Sequence, residues 1–300
     1  MLKITKRRRG WLWKAVLAVL LLGAAAAGGY AYYYYTPAHY ADRVTVLEYH
    51  DVSDASGAYT ITPALFRKQL DKLRSAGANF IRYDQFEAYL RGEPVPGNAV
   101  LVTFDDGYAS YTENALPILR EYGIPSVNFL ITGSLQGDKT GVFLNEEQVR
   151  ETIRREADDG NVAFGCHTHA SHRMENGKGV IATAIKVDGR EESADQYHER
   201  VRADLAACEA ELQSLYESAG KQPPQAVHAL AYPFGSYDPA SLSVYRDAGI
   251  RVAFTGELRL ARRDDNALAV PRINAGTPSA TPNRLQYWIK RGVNRAPAKM

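Results

Sequence analysis

Seven short apolar runs, separated by stretches of helical period, constrain this chain more than any other feature. They are 44–49 (VTVLEY), 99–104 (AVLVTF), 126–131 (SVNFLI), 161–164 (NVAF), 228–232 (HALAY), 251–255 (RVAFT) and 268–273 (LAVPRI). Each is brief and often β-branched, as strands buried on both faces of a parallel sheet must be. The intervening stretches read as helices. Thr62 is placed to cap one, Pro63 fits its first turn, Leu65, Phe66, Leu70 and Leu73 share a face, and Gly77 ends it. A second is expected over 112–122, closed by Gly123, with Pro117 as a kink. Others are expected near 145–158, 200–218 and 238–248, while 173–199 is polar and weakly patterned and reads as an insertion or long loop. Strand and helix in alternation give an α/β chain with a parallel sheet under helical layers. An open doubly wound sheet and a closed or distorted (β/α) barrel both fit, and in either one ligands bind at the C-terminal strand ends.

The N-terminus stands apart. Residues 11–29 (WLWKAVLAVLLLGAAAAGG) are long and apolar enough to cross a bilayer, with Trp11 and Trp13 at one end and Tyr30 to Tyr35 at the other. Six basic residues precede position 15, so the N-terminus is expected in the cytoplasm and the remainder outside. Small residues at Ala24 to Ala27 keep a cleaved signal peptide, and hence secretion, as the alternative. The expected organisation is a basic segment (1–10), an anchor or signal segment (11–35), a stalk (36–43), one catalytic domain (44–290) and a tail (291–300). The net charge is +2, and those six cations leave the rest at −4, which gives no electrostatic reason to hold nucleic acid. A monomer is expected. Two cysteines, Cys166 and Cys208, fit one disulfide or two buried thiols equally well.

Chemistry gathers at the strand ends. Thr103-Phe104-Asp105-Asp106-Gly107-Tyr108 places two adjacent carboxylates just past an apolar run. Like charges there are costly unless a cation holds one of them, although Asp-Asp-Gly is also a good turn. His167-Thr168-His169-Ala170-Ser171-His172 sets three imidazoles in six residues after another run. Two of them with one carboxylate would make a metal site with open positions; the plain alternative is a solvated polar loop. Tyr49-His50-Asp51 and Ala231-Tyr232-Pro233-Phe234-Gly235 end two further runs. The last is a tight turn whose aromatics suit either a sugar site or core packing. Four such motifs converging on one face make a stronger case than any one alone.

TFDDG, the histidine loop and the Pro-aromatic-Gly turn together resemble the polysaccharide deacetylases of the NodB-homology type, carbohydrate esterase family four. The resemblance runs from about Val44 to Arg272. It implies a distorted (β/α) barrel behind one N-terminal transmembrane helix, and one divalent ion, zinc in the first place with cobalt or nickel as alternatives. It makes Asp105 the catalytic base, and Asp106, His167 and His172 the metal ligands. Histidines five apart look like the branch acting on poly-β-1,6-N-acetylglucosamine, in which His50 matches the catalytic acid. His169 stays outside the ligand set. Many members carry Arg where this chain has Ala231, and Arg272 is the residue expected to supply that guanidinium from elsewhere. Phe234, Tyr232 and Tyr108 are expected around the substrate or its oxyanion. The activity implied is removal of N-acetyl groups from an extracellular or cell-wall polysaccharide. An O-acetyl esterase, and a silent membrane-tethered carbohydrate-binding protein, are the rival readings.

Overall fold

The computed structural model describes residues 6–137 and 140–295. They fall into two compact units, Met1–Pro37 and Ala38–Met300. The first is a helix, α1, over Lys6–Tyr35. Its stretch Trp13–Tyr35, 23 residues that include an 18-residue window of mean hydropathy 1.8, is long and apolar enough to cross a membrane. The start of the expected basic segment (1–5) and the end of the expected tail (296–300) lie outside the described residues.

The second unit is built on parallel strands β1 (Arg43–Tyr49), β2 (Ala99–Phe104), β3 (Ser126–Ile131), β4 (Val162–Thr168), β5 (Ala229–Ala231) and β6 (Val252–Phe254), paired in that order. A last strand, β7 (Ile273–Asn274), runs parallel on the other side of β1. Three residues before it, Val270 bridges Phe254 of β6: Thr255 N–H donates to its carbonyl at 2.7 Å and its own N–H donates to Ala253 at 2.8 Å. The segment 270–274 is thus bonded to both edges of the sheet, which curls into a distorted barrel. All seven apolar runs read from sequence lie in or against this sheet, and the barrel is the form that the chain takes.

The period-two alternation of strands decides what each residue faces. Val44 and Val46 of β1, Ala99 and Leu101 of β2, Val127 and Phe129 of β3, Ala163 of β4, Ala229 and Ala231 of β5, and Phe254 of β6 pack together inside the barrel. Leu47 and Tyr49, Val102 and Phe104, Phe164 and Cys166, and Leu230 and Tyr232 point the other way, into the helical layer. Continued to the strand ends, the inner series reaches Glu48 and His50, Thr103 and Asp105, His167, and Arg272.

The helices are α2 (Pro63–Ser75), α3 (Tyr83–Leu90), α4 (Leu116–Tyr122), α5 (Glu146–Glu156), α6 (Ala194–Ser218), α7 (Leu242–Asp247) and α8 (Pro282–Asn294). Thr62 caps α2 by accepting from Leu65 N–H, as its position predicts. The helix expected over 112–122 forms with a π-helical turn, Tyr111–Ala115, that runs directly into α4, Pro117 standing just past the junction. The stretch 173–199 is more ordered than its composition suggests. It holds two small hairpins, Met174–Glu175 with Lys178–Gly179 and Lys186–Val187 with Arg190–Glu191, and α6 already starts at Ala194 under a Ser193–Gln196 capping box. Cys208 of α6 is joined to Cys166 of β4 in a disulfide, with their Cα atoms 6.0 Å apart.

Candidate active site and metal centre

Asp105 continues the inner series of β2 and is buried, with 3% of its surface exposed. Alternation alone would send Asp106 outward. Instead Asp106 takes a left-handed backbone, φ 70°, followed by Gly107 at φ 78°, so both carboxylates reach the same cavity. The left-handed region is costly for most side chains but tolerated by Asp. At Gly107 a Cβ would lie 2.9 Å from the Leu130 side chain, so only glycine fits the second turn position.

Asp106 faces two imidazoles. Its Oδ1 lies 3.2 Å from His167 Nε2 and 3.3 Å from His172 Nε2. The ligand atoms of these three residues all lie within 4.8 Å of one another. Yet Asp106 Oδ1 is buried with no hydrogen-bond partner. A carboxylate oxygen and two ring nitrogens aimed at one point, without hydrogen bonds to explain it, fit a divalent cation with nitrogen and oxygen ligands. Burial pushes the Asp106 carboxyl up, but the adjacent His167, with His50 and His172 beyond, outweighs it and holds the value at about 2. Burial and the neighbouring His167 lower His172, which favours the neutral ring that a metal needs.

Asp105 is differently placed. Both its oxygens are taken by Arg272, whose Nη1 and Nη2 each donate at 2.7 Å in a bidentate fork. Arg272 is 1% exposed, and its Nε lies 3.4 Å from Glu48 Oε2 and donates to the Thr255 carbonyl at 3.3 Å. Burial raises the Asp105 carboxyl, and the Arg272 charge and hydrogen bonds more than reverse this, so the group is held below the usual carboxylate range. Glu48, His50 and Asp105 also form a close trio, but the guanidinium already supplies the cation there. Ala231 of β5 faces inward, and the guanidinium beside Asp105 comes from the segment joining β6 to β7.

The cavity has a volume of about 620 Å³ and is lined by Glu48, His50, Asp105, Asp106, Tyr108, His167, His172 and Phe234, among others. Tyr108 packs against Phe143 at 5.1 Å, and burial pushes its hydroxyl up to about 12. Phe234 sits at φ 59° in the Pro233–Gly235 turn, half exposed, with its ring stacked 4.7 Å from that of His172. Tyr232 is a correction to the sequence reading. It shares the outward face of Leu230, packs on Tyr237 and Tyr245, and donates its hydroxyl to the Leu268 carbonyl at 3.0 Å, so it lies in the core and not on the cavity wall. His169 points away from the ligand cluster, with Nδ1 3.0 Å from Thr132 Oγ1.

Five wall residues were not anticipated: Glu48, Tyr59, Met174, Gly256 and Asn274. Glu48 carried a signal, because a carboxylate four residues after Val44 and two after Val46 in an apolar run must point where they point. Tyr59 tilts over His50 at 4.9 Å from a loop, and Met174 comes from the first small hairpin, and neither has a local sequence pattern.

Residues 92–253 match the model of the family described as Polysaccharide deacetylase. The chain belongs to the polysaccharide deacetylase family. Asp105, Asp106, His167, His172 and Phe234 fall inside the matched span, and His50 and Arg272 outside it. The poly-β-1,6-N-acetyl-D-glucosamine N-deacetylase of Staphylococcus aureus is 27% identical over 217 residues, covering 72% of this chain and 67% of that protein. The namesake in Staphylococcus epidermidis is 27% identical over 218 residues, 72% and 68%. Among solved structures, IcaB from Ammonifex degensii superposes with a TM-score of 0.66 at 29% identity, over 83% of this chain and 97% of its own. A de-N-acetylase from Aggregatibacter actinomycetemcomitans shares the fold, with a TM-score of 0.69 at 23% identity over 83% and 100%. This polysaccharide deacetylase is therefore a hydrolase of the class that cleaves amide C–N bonds.

Proposed function

We propose that this deacetylase removes N-acetyl groups from poly-β-1,6-N-acetylglucosamine or a close relative, with its catalytic unit outside the membrane and α1 as anchor. The observation that carries the reading is the convergence of Asp106, His167 and His172 beside the Arg272-paired Asp105 and His50, in one open cavity. The staphylococcal relatives point to the polymer.

Asp106, His167 and His172 are the residues that would hold a divalent ion, zinc by preference. Such an ion would polarise the acetamide carbonyl and acidify a water. Asp105 is the general base: its carboxylate is kept ionised by the Arg272 fork, and it accepts the proton of the attacking water. The Phe234 backbone N–H, in the tight turn whose ring stacks on His172, is by resemblance the donor to the developing oxyanion. His50, level with Asp105 across the β1–β2 register, gives the proton that the leaving amine requires. Acetate and a free glucosamine unit result. The half-exposed faces of Phe234 and Tyr59 on the rim suit stacking against sugar rings.

The test is acetate release by the full chain in detergent from poly-N-acetylglucosamine, peptidoglycan, chitin oligomers and an O-acetylated xylan, with and without a chelator. Chelator-sensitive release from the first, with little from the xylan, is expected. Asp105→Asn should bind zinc and lose turnover, and His167→Ala should lose both. Undiminished release by either variant would end this assignment.

A further inference from the structure

His167 and His172 are five residues apart and come from different structure. His167 is buried at the end of β4, while His172 lies on the irregular segment that follows. Both ring nitrogens nevertheless reach one oxygen of Asp106. Something has to hold the intervening turn, since no ladder or helix does so.

One carboxylate holds it. Asp204, on α6, accepts from His169 N–H at 3.0 Å, from Ala170 N–H at 2.8 Å and from Ser171 Oγ–H at 2.8 Å. Four residues further along the same face of α6 is Cys208, bonded to Cys166, the residue immediately before His167. The helix therefore grips the ligand segment on both sides of its first histidine. On the opposite side, Gly133 N–H donates to the His169 carbonyl at 3.0 Å, and Thr132 contacts the His169 ring. Those contacts stop at residue 169, whereas Asp204 reaches Ser171, the neighbour of His172.

We propose that Asp204 is a positioning residue of the metal centre: by gathering the three donors of the 169–171 turn, it sets the separation at which His167 and His172 meet Asp106. The inference rests on the metal-site reading above. Removal of the carboxylate leaves two backbone N–H groups and a hydroxyl without their acceptor and frees His172 to swing from its partner. Residues that orient metal ligands typically change affinity by about 10- to 100-fold when lost.

The experiment uses the full chain in detergent, with Zn²⁺ as the probe in competition with a chromophoric chelator. Asp204→Ala is compared with Asp204→Glu, with the unmodified chain and with a structural control, Asp265→Asn. Asp265 is a buried carboxylate remote from the cavity, held by Arg259 and by the Arg262 N–H. Asp204→Ala should weaken zinc about 10- to 100-fold and, in the metal-free protein, abolish hydrogen-exchange protection of the His169 and Ala170 amides. Asp204→Glu should recover part of both. Asp265→Asn should lower the thermal midpoint and leave zinc affinity alone. Zinc bound as tightly by Asp204→Ala as by the unmodified chain would overturn the proposal and spare the metal site. An equal loss of affinity in the Asp265 control would overturn it too. No zinc uptake by the unmodified chain would overturn the metal-site reading and this proposal together.

Discussion

Replacing Arg272 by Met tests how the barrel keeps Asp105, the proposed base, charged. The guanidinium is the bidentate partner of Asp105 and approaches Glu48 as well, and the two carboxylates are 3% and 8% exposed. Without it, Asp105 is a buried charge with no cation, a condition that costs about 3–5 kcal/mol. For a folded unit of this size, at roughly 2–4 °C per kcal/mol, the unfolding midpoint should fall by about 6–20 °C. The double change Arg272→Met with Asp105→Asn removes the stranded charge, so the pair should show a coupling of up to about 3 kcal/mol and regain part of the loss. Arg272→Lys keeps the charge but not the fork and should fall between. Near-ultraviolet circular dichroism of the full chain in detergent, scanned at two heating rates, reads the midpoint. Acetate release, expected to drop by at least about 10²-fold in Arg272→Met, reads the base. If Arg272→Met melted within 2 °C of the unmodified chain (about 1 kcal/mol or less), or if the double variant lost the full sum of the singles, the fork would not be what sustains Asp105.

Acid should tell the same story by a different route. Because the folded Asp105 carboxyl lies below its ordinary range, its contribution to stability is complete above the unfolded value of about 3.9 and is lost as pH falls through the folded value. The unmodified chain should thus lose more stability between pH 5 and pH 3 than Asp105→Asn, and parallel midpoint curves would contradict this. The disulfide closes a loop of sequence separation 42, which in the chain-entropy model is worth about 4 kcal/mol. Cys166→Ser with Cys208→Ser should lower the midpoint accordingly, and an unchanged midpoint would deny the cross-link a role. Tyr232→Phe removes one buried hydrogen bond, to Leu268, and should cost about 1 kcal/mol while kcat stays constant. A fall in kcat at equal stability would return Tyr232 to the cavity wall.

The strand runs were legible because burial on both faces leaves a short apolar word, and the runs at 44–49, 99–104 and 126–131 match the strands within a residue. The face of each residue was legible too, once the alternation is followed through the strand. Reading HALAY as a unit put Tyr232 beside Phe234; counting from Ala229 and Ala231 puts it in the core. The same count marks Glu48 as inward. Arg272 could be proposed because one guanidinium was missing at Ala231, but its fork on Asp105 depends on how residues 270–274 close the sheet. Tyr59, Met174 and the clamp from Asp204 come from loops and a helix far away in sequence. Their places are set by tertiary packing, for which no local pattern exists. Helices α3 and α8 were passed over, although Tyr83, Phe86 and Tyr89 in the one and Leu285 and Ile289 in the other already stand at helical spacing.

The guanidinium that steadies the base arrives with the stretch that seals the barrel, more than a hundred residues after the carboxylate it serves. During synthesis Asp106, His167 and His172 are therefore all present long before Asp105 has its counter-charge. A polypeptide interrupted before residue 272 would carry Asp105, Asp106, His167 and His172 without that guanidinium, so under the proposed mechanism full competence waits until the final tenth of the chain docks.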